Sequence, residues 1–203
     1  VKRSSFGISI PELRKFAKKM AHSPDYPEFI EKNPQDSFEL RLLHAFLLGY
    51  IKTDINTALK YFKAFMPYVN DWAVNDSLCQ NFRIARLYPK EVWQFLTPYM
   101  RSKKEFESRI VAVVLLSHFL NDTYIDRVIK VLDKLNTDRY YAQMGVAWAI
   151  ATVMGKYPDK CLAYLRSDNC HLDKTTYNKT LQKIRESLRV SKEIKALTKT
   201  MAK

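Results

Sequence analysis

"ALKYFKAFMPYV", residues 58–69, and "EVWQFLTPYM", residues 91–100, are two aromatic-rich segments that each close on a proline, and Pro67 and Pro98 lie 31 residues apart. Each reads as a helix ended by its proline turn, and each is followed by a second helical run. "YIDRVIKVLDKLN", residues 124–136, followed by "YYAQMGVAWAIATVM", residues 140–154, repeats the alternation. Two-helix units recurring at ~30–40 residues predict an α-solenoid of degenerate HEAT-like repeats, curved around a concave cleft lined by every second helix. Packing as a plain helical bundle is the alternative.

The rest of the chain agrees with an all-α fold. "SIPELRKFAKKMA" opens on Ser9 as N-cap, with Pro11 in the first turn and Glu12 placed for a capping box. Further helices are expected over 37–50, 54–66, 70–85, 90–100, 104–119, 122–135, 139–154, 158–166 and 174–188. The breaks fall at Pro67, Pro89, Pro98, Asn121-Asp122, Asn136 and Gly155. Only four glycines occur in 203 residues, which leaves little material for hairpins. At that length one domain spanning 1–203 is expected, with a sizeable core.

Composition narrows the function. Hydrophobic residues make up 47% and charged residues 27%, an ordinary balance for a folded protein. The longest apolar run, "IVAVVLL" at 110–116, is far short of the roughly 20 residues a membrane span needs. No signal-peptide core precedes "SFGIS", and the absence of an initiating Met suggests a further segment upstream of Val1. Cys79, Cys161 and Cys170 form no CxxC pair and are odd in number, which suits a reducing, cytoplasmic setting. The net charge of +13 is concentrated at the ends: +5 over residues 1–19 and +7 over 174–203, against +1 for everything between. Two basic ends on a near-neutral body suggest contact with a polyanion, nucleic acid first, and solubilising lysine-rich ends are the plainer alternative.

Several familiar chemistries have no support. With glycines only at 7, 49, 145 and 155 there is no phosphate-cradling loop. His22, His44, His118 and His171 lack metal-ligand spacing, and Ser117-His118 lacks a nucleophile-elbow context. No cofactor and no metal are expected.

What remains are residues at odds with their helices. In "DWAVND", residues 71–76, Trp72 and Asp76 share one helix face, while Val74, Leu78 and Phe82 form a stripe rotated by about 200° that can be buried. Arg109 leads the apolar run at 110–116. Trp148 stands among Gly145, Ala147, Ala149 and Ala151. Trp72, Arg109 and Trp148 are 37 and 39 residues apart, about one repeat each, and are expected side by side on successive inner helices.

These segments resemble the AlkD-type DNA alkylation repair glycosylases, which are built of HEAT-like repeats. "SFGISIPELRK", "DWAVND", "FESRIVAVVLL", "YYAQMGVAWAI" and "TTYNKTLQKIRES" are similar to five of the family's segments, in order and at matching spacing. The resemblance implies that Asp76 is the catalytic carboxylate and that Trp72 and Trp148 are cleft tryptophans. It implies that Arg109 contacts DNA, that Tyr140 and Tyr141 are the paired cleft aromatics, and that Lys179, Lys183 and Arg185 on the basic C-terminal helix meet the DNA backbone. The implied activity is hydrolysis of the N-glycosidic bond of cationic N3- or N7-alkylated purines in double-stranded DNA, by a monomer. Active members often carry an arginine where this chain has Ala151, and an additional N-terminal helix. Two other readings therefore stay open: a non-catalytic relative that serves as a scaffold, and a protein-interaction solenoid.

Overall fold

A computed structural model describes residues 6–135 and 137–202. Lys2, Arg3 and Lys203, three of the basic residues in the charged ends, and the expected break at Asn136 lie outside the described residues. Twelve α-helices and three short 3-10 segments are described, with no strand among the described residues. In chain order the helices are α1 (Ile10–Met20), α2 (Tyr26–Lys32), α3 (Phe38–Tyr50), α4 (Ile55–Phe65), α5 (Trp72–Asn81) and α6 (Pro89–Leu96). They continue with α7 (Glu105–His118), α8 (Ile125–Lys134), α9 (Tyr140–Lys156), α10 (Pro158–Arg166), α11 (Lys174–Glu186) and α12 (Lys192–Leu197).

The starts of α3, α5, α7, α9 and α11 are 33 to 35 residues apart, slightly longer than the spacing of the two prolines. The all-α helical-repeat architecture is thus built on units of about one helix pair. The chain divides into two compact units, residues 1–95 and 96–203.

In the first unit α1 packs on α3 and α3 on α5. Phe46, Leu42 and Leu47 of α3 are fully buried, together with Phe62 and Phe65 of α4. Val74, Leu78 and Phe82 are buried as their spacing predicts, and Phe82 packs against Phe62 with ring centroids 4.7 Å apart. The helix expected to run to residue 85 ends instead at Asn81. Phe82 leaves helical geometry at ψ 59°, seating its ring in the core while the chain goes on as a 3-10 turn over Arg83–Arg86. Two helices were not foreseen. Both α2, with 7 residues, and α12, with 6, are too short to carry a readable period.

In the second unit α9 packs between α7 and α11, with α8 and α10 also against it. That enclosure explains why α7 and α9 are apolar nearly all round: Ile110 to Val114 and Val146, Ala147, Ala149 and Ile150 are each at most 1% exposed.

At Gly49 the backbones of α3 and α5 come close, and a Cβ there would press on Asn81 Cβ and lie 2.7 Å from the Asn81 carbonyl oxygen. Backbone cannot swing aside as a side chain can. Gly49→Ala is expected to destabilise the fold by about 1–3 kcal/mol, read by urea unfolding.

His44 is a second pressure point. It lies at 3% exposure, stacked on Phe65 at 4.2 Å, with Nδ1 2.6 Å from the Gln35 side-chain amide nitrogen. Gln35 itself sits in left-handed backbone at φ 58°, its carbonyl accepting from Arg41 at 2.6 Å. Burial pushes the His44 pKa down to about 4 from 6.5. The unfolded chain takes up this proton first, so the contribution is complete above pH 6.5 and is lost as pH falls toward 4. Stability should fall by about 3 kcal/mol across that window, and His44→Phe should flatten the slope there, read by chemical denaturation at a series of pH values.

Candidate functional site

Helix α5 starts where Asp71 caps it, its carboxylate accepting from the Ala73 amide at 2.8 Å. The cap fixes Trp72 as the first helical residue, and its indole is 47% exposed. One turn later Asp76 is 9% exposed, flanked on the helix by fully buried Asn75 and by Leu78 and Cys79. The chain therefore places an outward indole directly before a nearly enclosed carboxylate, while the opposite face of the same helix supplies core. The sequence reading of the face is correct for Trp72. Asp76 lies deeper than its helical spacing implies.

Arg109 belongs to the second unit, on α7. It is 5% exposed, and one guanidinium nitrogen donates to the Tyr141 carbonyl at 2.8 Å. Glu105, one turn earlier, accepts from the Tyr141 amide at 2.7 Å. The two α7 side chains thus hold both backbone groups of one residue at the start of α9. The Tyr141 ring stacks on Phe106 at 5.6 Å, and Tyr140 stands edge-on to Tyr141 at 5.3 Å while remaining 60% exposed. Gly145 makes room for this arrangement, since a Cβ there would lie 3.1 Å from Arg109 Cγ. Glu105 and Phe106 were not singled out from the sequence. The available signal was that Glu105 precedes Tyr141 by 36 residues, one repeat.

Trp148 is half-buried two turns into α9, and its carbonyl accepts from Thr152 Oγ1 at 2.8 Å. Ala151 is 3% exposed, so the position where the resemblance implies an arginine is here taken up by packing. The spacings of 37 and 39 exceed the repeat of 33 to 35, and the register drifts accordingly: Trp72 is first in its helix, Arg109 fifth and Trp148 ninth. By register, the counterpart of Trp72 in the α9 repeat is Tyr140, and that of Asp76 in the α7 repeat is Arg109. First positions are exposed at Trp72 and Tyr140, and fifth positions are enclosed at Asp76 and Arg109.

On α11, Asp173 caps the helix, accepting from the Thr176 amide at 2.9 Å. Burial opposes ionisation of Asp173, but bonds from Thr176, Thr137 and the Thr175 amide outweigh it and hold its pKa below the ordinary carboxylate value. Lys179 and Lys183 are one turn apart on one flank. Lys179 donates to Gln182 at 3.2 Å and Lys183 pairs with Glu186 at 2.9 Å. Arg185 points to the opposite flank, donating to the Thr198 carbonyl at 3.3 Å. The three basic residues grouped by sequence do not share a face.

The three cysteines are free and buried, and burial pushes the Cys161 thiol up to about 12, which keeps it protonated at neutral pH. No helix among the described residues is long and apolar enough to cross a membrane.

A family model described as DNA alkylation repair enzyme matches residues 1–184. The chain belongs to that family. No curated protein and no solved structure gives a significant match. The match ends within α11, so α12 lies beyond it.

If DNA meets α11, it meets the Lys179/Lys183 flank. Changing both to Ala is expected to flatten the dependence of log affinity on log salt by ~0.9 per lost phosphate contact. Arg185→Ala should leave that slope alone and loosen the α12 segment instead, seen as faster amide exchange near Thr198. A loss of slope with Arg185→Ala and none with the lysines would reverse the assignment.

Proposed function

We propose that the chain is a monofunctional DNA N-glycosylase that removes cationic N3- and N7-alkylated purines from duplex DNA, with Asp76 as its catalytic carboxylate. The observation that carries this reading is the pairing on α5 of a 47% exposed Trp72 with a 9% exposed Asp76 one turn behind it. The family supplies DNA alkylation repair as the setting.

The chemistry asks for little more. An alkylated N3 or N7 leaves the purine positively charged, so its bond to deoxyribose is weakened and the base departs as a neutral molecule. The electron pair of the C–N bond goes to the base, and charge develops on the sugar as an oxocarbenium-like ion. An ionised Asp76 stabilises that charge and orients the water that attacks the anomeric carbon, accepting its proton as the bond forms. The products are the free base and an abasic site. Partial enclosure helps, because attraction between carboxylate and cation grows as water is removed. The Trp72 face adds a contact with the cation of ~0.5–2 kcal/mol.

In the second unit, exposed Tyr140 and half-buried Trp148 are the proposed DNA-facing aromatics. Arg109 is proposed to act by fixing the Tyr141 backbone beneath Tyr140. Lys179 and Lys183 are proposed to neutralise phosphates.

Asp76→Asn keeps the shape of the side chain and loses its charge. Excision of N7-methylguanine is expected to drop by about 100- to 1000-fold, with folding and DNA affinity nearly unchanged. A variant as active as the parent would remove Asp76 from catalysis. No proton donor is assigned to the leaving base, and a neutral base needs one worth ~10²–10⁴-fold. On a panel of single-lesion duplexes, N3-methyladenine and N7-methylguanine should therefore be released, with little action on uracil, hypoxanthine or 8-oxoguanine. A parent protein that binds DNA and releases no base from any member of the panel would favour the scaffold reading.

A further inference from the structure

Arg14 and Lys18 are one turn apart on α1, and in the first unit both reach across α3. The Arg14 guanidinium carbon lies 4.1 Å from the centre of the Phe46 ring, and the Lys18 ammonium lies 5.5 Å from the centre of the Tyr50 ring. One guanidinium nitrogen of Arg14 donates to Tyr50 Oη at 3.4 Å and to Asn81 Oδ1 at 3.3 Å. Tyr50 and Asn81 are the last residues of α3 and α5, so the guanidinium is held by two neutral side chains, one from each helix.

That arrangement gathers charge without cancelling it. Neither Arg14 nor Lys18 makes an ion pair with a carboxylate among the described residues. The carboxylates carried by α1 and α3 themselves are engaged elsewhere: Glu12 with Ser9, and Glu39 with the amides of Phe6 and Gly7. Ring faces and neutral side-chain oxygens attract cations but bring no full negative charge. Both of these Arg14 hydrogen bonds use the same nitrogen, which leaves the far edge of its planar fork for a partner with two oxygens. Lys18 is exposed beside it, and the Tyr50 hydroxyl adds a neutral donor.

We propose that Arg14, Lys18 and Tyr50 form a pre-organised binding site for a phosphodiester of the DNA backbone. The proposal rests on the reading of this protein as a DNA repair enzyme and names where its first unit grips the duplex. The aromatic rings hold both cations before DNA arrives, so less side-chain freedom is lost on binding than at a surface lysine in solution. The contact carries no base information, as suits an enzyme that must scan undamaged sequence.

The test uses undamaged duplex DNA, so that it is independent of excision. Affinity of the full chain for a labelled duplex is measured by anisotropy across a salt series. Lys18→Gln is expected to lower the slope of log affinity against log salt by about 0.9, and Arg14→Gln with Lys18→Gln by about 1.8. Arg14 also supports the fold, so Arg14→Lys and Tyr50→Phe accompany it, with thermal unfolding of each variant. Arg14→Lys should keep the slope while weakening binding, because an ammonium replaces the fork. An unchanged slope for Lys18→Gln, or a parent that binds no duplex, overturns the proposal. Failure of excision with these slopes intact sinks the glycosylase reading and leaves this site standing.

Discussion

A helix pair of this length cannot bury its apolar face alone, and the neighbouring repeat is the surface available to cover it. α9 makes the constraint plain: with Val146, Ala147, Ala149 and Ile150 all buried, it is stable only with α7 on one side and α11 on another. The polar ties obey the same rule. Arg109 to Tyr141, Lys156 to Leu120, Tyr157 to Asp122, Lys160 to Asp126 and Tyr164 to Asp133 each join residues 31 to 36 apart. Within the second unit these ties therefore join adjacent repeats, as expected where each repeat contacts chiefly its neighbours. Arg14 to Asn81 is an exception, spanning 67 residues and tying the first helix to the third of its layer.

Register within the helix separates the exposed aromatics Trp72 and Tyr140 from the enclosed Asp76 and Arg109. The first residue of a layer helix stands at its open N-terminal end, and Trp72 and Tyr140 occupy that place. Asp76 and Arg109 are each the fifth residue of their helix, a turn inside, and both are enclosed. A functional group at the fifth position is thus immobilised by packing, and an aromatic at the first is offered to whatever approaches. Such a division suits a site in which one group must be rigid and another must touch a variable partner.

The parts of the fold that could be read in advance were those where one period dominates. Val74, Leu78 and Phe82 recur every fourth residue, and their burial follows from that spacing. The prolines at 67 and 98 marked helix ends correctly, since each falls in a 3-10 segment directly after a helix. The end of α5 was not readable. Nothing in "QNFRIAR" shows that Phe82 is worth more in the core, against Phe62, than in another helical turn. Nor could spacing alone reveal that Arg109 is enclosed. An arginine before an apolar run can lie at a surface, and what decides here is a carbonyl 32 residues away. The grouping of Lys179, Lys183 and Arg185 by charge failed to separate two flanks, although helical spacing contained that information.

Asp76 and Trp72 also illustrate why the family's chemistry is compatible with so plain a site. A fully solvated carboxylate interacts with a nearby cation at about 1 kcal/mol across 4 Å, and an interaction several times larger needs a less polar surround. Full burial would supply that surround but would exclude the substrate. At 9% exposure Asp76 lies between these limits. In the proposed mechanism the exposed Trp72, one turn away on the same helix, offers a surface that displaces water yet attracts positive charge, which an aliphatic side chain cannot do. On that proposal the combination discriminates by charge. On the proposed mechanism a cationic base gains from both groups and departs without a proton, whereas a neutral base lacks that charge and needs a donor, so selectivity would follow without a pocket shaped to one lesion.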